Sequence, residues 1–351
     1  MNGLRYTGVP DAALESLIDR TLAELASEID ALRLPCLQAV VLGGGYGRGE
    51  GGVLRTPAGN RLYNDLDFFV FTRSADSRTA ARIDAALKQL SASREKDLGI
   101  AVDFGPAKNI SSLKNVASTL MFQELRRGWV PVWGEADLEN WIPPLPPARL
   151  PRSEAVRLLL NRGMGLIFAG EYLKEERLDP DFIVRNMNKA VLGGGDALLL
   201  ASGLYRWRGE DRVEAFAGYV RDEGLPSDWA SLYERAFRWK LEPEIVLPPD
   251  PLAAWRGCRD FYLACVRRCA GVPAEASCED VARGLHRAAS CERSVKNLLR
   301  WLLRARGMRP AGAMFDPPVV SVLTRLYAEL APFDNFVTAS PRLLALWRLF
   351  N

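Results

Sequence analysis

Apolar positions recur every three or four residues near the start of the chain, at Leu14, Ile18, Leu22, Leu25, Ile29 and Leu32. That spacing puts them on one face of an amphipathic helix. A short apolar run follows over 37–42, with β-branched Val40 and Val41, and stops at Gly43-Gly44-Gly45. Run and breaker together predict a strand entering a tight turn. Leu66-Asp67-Phe68-Phe69-Val70-Phe71 and Ile100-Ala101-Val102-Asp103-Phe104 predict a second and a third strand, the latter closed by Gly105-Pro106. Helical periodicity covers 76–90 and 111–127, and the stretch 129–134 predicts a last short strand.

The pattern changes at Trp141-Ile142-Pro143-Pro144-Leu145-Pro146-Pro147. Proline lacks the amide donor and fixes φ, so this segment continues neither a helix nor a central strand. It predicts a boundary: a first domain over 1–140, a linker over 141–152 and a second domain over 153–351. Beyond it the pattern is helical, with helices expected over 154–176, 182–207, 251–270, 278–306 and 319–330. The expected class is α+β, a small sheet with flanking helices followed by an all-α bundle.

Composition adds bounds rather than detail. The 351 residues are 48% hydrophobic and 25% charged, as in soluble globular proteins, and the net charge of +3 falls short of the footprint of a dedicated nucleic-acid binder. No apolar run approaches the ~20 residues of a membrane span, and the start lacks the features of a secretion signal. Six cysteines are sparse for this length, which points away from a disulfide framework and towards the cytoplasm. No membrane partner is expected.

Three pieces carry candidate chemistry. Gly44-Gly45-Tyr46-Gly47-Arg48-Gly49-Glu50 follows the first strand, and its glycines let backbone amides approach phosphate oxygens. Alone it is as readily an ordinary turn. Asp65-Leu66-Asp67 heads the second strand, where residues two apart share a side. Two adjacent carboxylates repel unless a cation neutralises them, and hard oxygen ligands suit Mg²⁺ bridging to a phosphate. Solvated acids at a strand end are the plainer reading. Asp103 interrupts an apolar strand, where aspartate is disfavoured; accepting backbone amides would also explain it.

In this order the three pieces resemble the nucleotidyltransferase superfamily of the DNA polymerase β type. The stretch 44–50 is similar to the Gly-Ser-x-Ala-Arg-Gly-Glu turn of small bacterial members. Asn64-Asp65-Leu66-Asp67 is similar to their Ser-Asp-x-Asp strand, and Ala101-Val102-Asp103-Phe104 to their third-acid strand. The resemblance covers roughly residues 37–134. Gly45 stands where the family has its serine, and the insert 51–63, with Arg55 and Arg61, makes the gap before Asp65 longer than usual.

The resemblance implies a nucleotidyltransferase-fold mixed sheet and transfer of a nucleoside monophosphate, expected to be AMP, from an NTP to a hydroxyl of a small molecule or protein. It implies two Mg²⁺ ions about 3.5–4 Å apart, with Asp65, Asp67 and Asp103 as ligands and catalytic residues. Gly44, Gly45 and Arg48 would hold the triphosphate, although Arg48 is as readily a brace paired with Glu50 or another acid. In the helical half, Lys189 and Asp196 resemble nucleotide-site positions of small-substrate members, including aminoglycoside nucleotidyltransferases; a buried polar position is the plainer reading, and Gly193-Gly194-Gly195 would then serve close helix packing. A catalytically inactive or regulatory nucleotide- or partner-binding protein, and an RNA-end nucleotidyltransferase, are the competing functions.

Cys258, Cys265 and Cys269 fall on one helix face, and with Cys278, Cys291 and His286 they invite a zinc reading. The tight paired spacing of zinc sites is absent, so buried core thiols are expected. Arg206-Trp207-Arg208 and Phe237-Arg238-Trp239-Lys240 suit base stacking but read first as amphipathic packing.

Overall fold

The computed structural model describes residues 6–116, 118–175, 179–304, 314–331 and 338–350. The chain divides into two compact units. One holds Met1–Leu145 and Arg238–Glu244, the other Pro146–Phe237 and Ile245–Asn351. The break after Leu145 lies inside the proline-rich segment, and the short return of 238–244 to the first unit has no counterpart in the contiguous division read from sequence.

In the first unit, helix α1 (Ala12–Ala31) begins where the Asp11 carboxylate accepts the Leu14 amide at 2.9 Å, a stabilising N-cap. Strand β1 (Leu37–Leu42) leads to the one-turn helix α2 (Gly44–Gly47). The insert after it forms a hairpin, β2 (Val53–Leu54) with β3 (Arg61–Leu62). Then come β4 (Leu66–Thr72), α3 (Ser77–Leu98), β5 (Val102–Phe104) and β6 (Lys108–Asn109). Two short helices, α4 (Leu113–Val116) and α5 (Leu120–Leu125), precede β7 (Val130–Gly134) and α6 (Leu138–Trp141). The single helix expected over 111–127 is thus two, because the Thr119 side chain starts a new one by accepting the Phe122 amide; residue 117 lies outside the described residues.

The sheet is mixed, ordered β5-β4-β1-β7, with β6 also paired to β4. β1 runs antiparallel to β4 and β7, whereas β4 runs parallel to β5 and β6. Strand alternation sorts the side chains onto two cores. Val40, Leu42, Leu66, Phe68, Val70 and Val102 join the apolar stripes of α1 and α3. Val41 and Phe71 join Ile110, Leu113, Phe122, Leu125 and Leu138 from the short helices. The apolar positions of α1 are therefore the ones the periodicity predicts, except Leu32, which is exposed.

The second unit is helical, with α7 (Arg152–Lys174), α8 (Pro180–Ala201), α9 (Gly209–Asp222), the start of α10 (Asp228–Leu241), α11 (Pro251–Ala270), α12 (Cys278–Ala288), α13 (Val295–Arg304), α14 (Pro318–Leu330) and α15 (Pro341–Phe350). Gly193, Gly194 and Gly195 lie where added Cβ atoms would meet Arg162 at 2.3 Å, Phe261 at 3.0 Å and Tyr233 at 2.4 Å. They permit close helix packing. Trp255 and Tyr262 of α11 donate to the Leu166 and Leu159 carbonyls of α7, both at 2.8 Å.

Two expected helices are shorter. The one over 182–207 ends at Ala201, where Gly203 takes φ of +70° and the Leu204 amide returns to the Leu199 carbonyl at 2.8 Å, a common helix stop. The one over 278–306 is α12 and α13, separated by a 3₁₀ turn at Ser290–Glu292; residues 305 and 306, like residue 176 at the expected end of α7, lie outside the described residues. No helix among the described residues is long and apolar enough to cross a membrane.

Candidate active site

Asp67 lies in β4 and Asp103 in β5, and the two are register partners across a parallel pair. Register partners project to the same side. Leu66, Phe68, Val102 and Phe104 take the opposite side, against α1 and α3. Asp67 is half-buried and Asp103 exposed. Both line a pocket of about 310 Å³ shared with Phe69, Lys108, Met121 and Phe122. Two carboxylates, one nearby ammonium and an apolar aromatic wall therefore meet at one opening.

The glycine turn abuts Asp67 directly. Gly43 donates its amide to the Asp67 carbonyl at 2.8 Å. Gly44 has φ of +61°, and a Cβ there would stand 1.9 Å from Asp67 Oδ2. Both facts demand glycine: the left-handed conformation is costly for side chains, and the space is taken by the carboxylate. Gly45 differs, since its nearest obstacle to a Cβ is the Glu50 carbonyl oxygen at 3.4 Å and its φ is not positive. Room for the family's serine exists there.

Tyr46 is the fixed point of the turn, and its role was not read from the sequence. Its ring is fully buried. The hydroxyl donates to the Gly52 carbonyl at 2.8 Å and accepts the Tyr63 amide at 2.9 Å. Burial pushes this phenol up to about 12, with backbone donors opposing and the Asp65 charge adding to the rise. Gly51 must be glycine because a Cβ would lie 2.0 Å from the Tyr46 ring. Asn64 completes the brace by accepting the Gly52 amide at 2.6 Å. The available sequence signal was a lone aromatic residue inside a glycine-rich turn.

Asp65 stands in the bend before β4, exposed, and is not among the residues lining the Asp67–Asp103 pocket. Among the described residues, no three carboxylate, cysteine or histidine side chains are grouped so that they could hold a metal. Asp67 and Asp103 are thus register partners at one pocket, and Asp65 stands one residue before β4. For a hard cation the pocket offers the two carboxylates of Asp67 and Asp103, which fits a partly enclosed Mg²⁺ better than a closed cage.

Arg48 lies 3.4 Å from Glu124 and 3.9 Å from Glu50, and Lys240 approaches Glu50 at 2.7 Å. These pairs are mostly buried, so Arg48 serves as the brace that the sequence left open. It also lines a second, wider pocket of about 550 Å³ with Gly47, Gly49, Arg126, Arg127 and Trp129. Burial, and then the neighbouring Arg126, hold the Arg127 guanidinium below its ordinary value. Arg55 pairs with Glu242, and Arg61 is exposed on the hairpin.

The helical unit treats its predicted residues differently. Asp196 accepts the Tyr233 hydroxyl and lies 3.2 Å from Arg212 Nε. Arg212 in turn donates to the Tyr205 hydroxyl at 3.1 Å and to the Arg206 and Trp207 carbonyls. Burial first, and the Asp196 charge second, push the Tyr233 phenol well above its ordinary value. This network ties α8 to α9 and α10, with Asp196 itself half-buried. Lys189 is half-buried on the same helix, seven residues before Asp196.

All six cysteines are free thiols. Burial pushes Cys258 and Cys269 up to about 12 and Cys265 well above its ordinary value. His286 binds Asp316 through Nδ1 at 2.6 Å. Compared with known proteins, the sequence matches no family model and no curated protein.

Proposed function

We propose that the first unit is a nucleotidyltransferase of the DNA polymerase β type, moving a nucleoside monophosphate from an NTP, with ATP the first candidate, to a hydroxyl of a small molecule or protein. One observation carries this reading. Asp67 and Asp103 are partners on adjacent parallel strands, open to one pocket, with the glycine turn pressed against Asp67. The sheet is mixed, with β1 antiparallel and β5 parallel to β4, and a mixed sheet with flanking helices is what the resemblance implies.

In the reaction, the acceptor oxygen forms a bond to the α-phosphorus as the bond to the bridging oxygen breaks, releasing pyrophosphate and the hydroxyl proton. Asp67 and Asp103 would hold Mg²⁺, which when bound supplies positive charge to the phosphate oxygens and the acceptor. Asp103, the more exposed of the two, is placed to orient an incoming hydroxyl, and the amides of Gly44 and Gly45 to receive phosphate oxygens. Lys108 at the rim supplies a further cation.

A second reading, a regulatory protein that binds a nucleotide or a partner without transfer, draws on one observation: Gly45 stands where the resembled superfamily has its serine. The Asp67→Asn/Asp103→Asn variant tests both. Removing two adjacent charges should leave the metal-free fold as stable as before or slightly more so. Wild type should gain melting temperature with Mg-ATP through linkage, and the variant should gain little. Transfer of label from radiolabelled NTP to an acceptor pool should fall by about a thousandfold. An equal Mg-ATP shift in both proteins would reject this metal site; binding without any labelled acceptor would favour the regulatory reading.

A further inference from the structure

Helix α13 turns an apolar stripe to solvent. Val295, Leu299, Leu302 and Leu303 are 63, 49, 53 and 69% exposed. Their spacing of four, three and one residues places them in one arc of the helix, while Asn297 and Trp301 on the other side are buried. Phe315 and Met314, outside the helix, are also exposed, at 46 and 38%. The Phe315 carbonyl accepts the Ser294 amide at 2.9 Å and Asn297 Nδ2 at 3.0 Å, which anchors it at the head of the helix. Four large apolar side chains on one exposed arc are unusual on a folded surface.

The charge beside the stripe has one sign. Lys296 and Arg300 are exposed along its edge. Among the described residues from Arg293 to Phe315, Arg293, Lys296 and Arg300 are exposed and none is acidic. The next acid, Asp316, is fully buried and bound to His286 and Arg293, each at 2.6 Å, so it does not offset the exposed charge.

We propose that α13 is a docking helix for an anionic lipid surface, independent of the activity proposed above. The stripe would enter the boundary of headgroups and acyl chains while Lys296 and Arg300 meet lipid phosphates. Charge selects this occupant. A second copy would bring the same basic edge against itself, since a two-fold contact pairs like surfaces. A nucleic acid would engage the lysine and arginine and leave the apolar stripe in water. The expectation of no membrane partner rested on the lack of a spanning run, and lying on a surface requires none.

The test is sedimentation of the full chain with vesicles of phosphatidylcholine alone or mixed with phosphatidylglycerol. Binding should require phosphatidylglycerol and weaken as salt rises. The Leu299→Ser/Leu303→Ser variant should partition at least about tenfold more weakly, given the apolar surface it removes, with an unchanged melting temperature because both side chains are exposed. Lys296→Glu/Arg300→Glu should lose about fivefold or more for each charge. Partition that is absent, equal for both lipids, or unchanged in the serine variant would overturn the proposal, absence pointing to an acidic protein partner instead. Wild-type dimers that the serine variant abolishes would also overturn it, assigning the stripe to a second copy.

Discussion

Two carboxylates picked out by the same sequence reasoning, Asp67 and Asp196, sit in opposite circumstances. Asp67 is half-buried at a pocket wall with Asp103 beside it, and the turn next to it lacks a side chain at Gly44. Asp196 sits among Tyr233 and Arg212, whose side chains are buried and aimed at it. A carboxylate costs free energy in low dielectric unless its lone pairs are occupied. In the helical unit a phenol and a guanidinium occupy them, so the acid serves the fold. At the pocket a second carboxylate stands beside the first, an arrangement that adds repulsion and makes sense where a cation or a substrate proton arrives. Asp196 thus has a phenol and a guanidinium for neighbours, and Asp67 has a carboxylate as its register partner.

The sharpest break of this comparison is Asp196→Asn. It leaves the mostly buried Arg212 without its carboxylate, and should destabilise the helical unit by about 3 kcal/mol. Urea or thermal unfolding would measure it, and Mg-ATP binding by the first unit should persist. A loss under about 1 kcal/mol would mean that the network is solvated and that Asp196 retains capacity for a ligand.

Next in size is the contrast between the paired glycines. Gly44→Ala imposes a side chain on a left-handed residue and drives it into Asp67, a cost of about 2–3 kcal/mol together with loss of Mg-ATP stabilisation, although no acid has been changed. Gly45→Ser meets no such obstacle. It should fold with stability altered by no more than about 1 kcal/mol and, under the proposed function, strengthen nucleotide binding by restoring a hydroxyl donor. Equal tolerance at both positions would show that the close approach of Gly44 to Asp67 is unimportant.

An effect smaller than that at Gly44 is expected at Tyr46. Tyr46→Phe removes a donor to Gly52 and an acceptor for Tyr63, at a cost of about 1–2 kcal/mol at neutral pH. The folded phenol titrates at about 12, above its unfolded value near 10, so the folded state favours the protonated form. The stability it contributes is complete below about pH 10 and declines as pH rises from there towards 12. The phenylalanine variant should therefore lose less stability than wild type over that alkaline interval, measured by fluorescence-detected urea unfolding at each pH.

Much of this was legible in the sequence, for a physical reason. Helix and strand periods are local, so the α1 stripe, the alternation that puts Asp67 and Asp103 opposite Leu66, Phe68 and Val102, and the change to helices beyond the prolines could be read directly from residue spacing. Candidate chemistry was legible where it depended on residue type, as in the acids and the glycine turn. The sequence could also offer both fates for Arg48 and Asp196, because each side chain suits either.

Only tertiary structure could choose between those fates. Whether Arg48 reaches a phosphate or a carboxylate depends on Glu124 and Glu50, and the first of these comes from a helix far along the chain. Asp196 gains its partners Tyr233 and Arg212 from other helices. Tyr46 acquired its role by burial between Gly52 and Tyr63, and Gly44 gained its necessity from a carboxylate on a different strand. The stripe on α13 is apolar by sequence, yet its exposure was decided by which side of the helix found a partner. Periodicity says that a face is apolar; packing alone determines whether that face is covered, because burial is a property of the neighbours that long-range folding supplies.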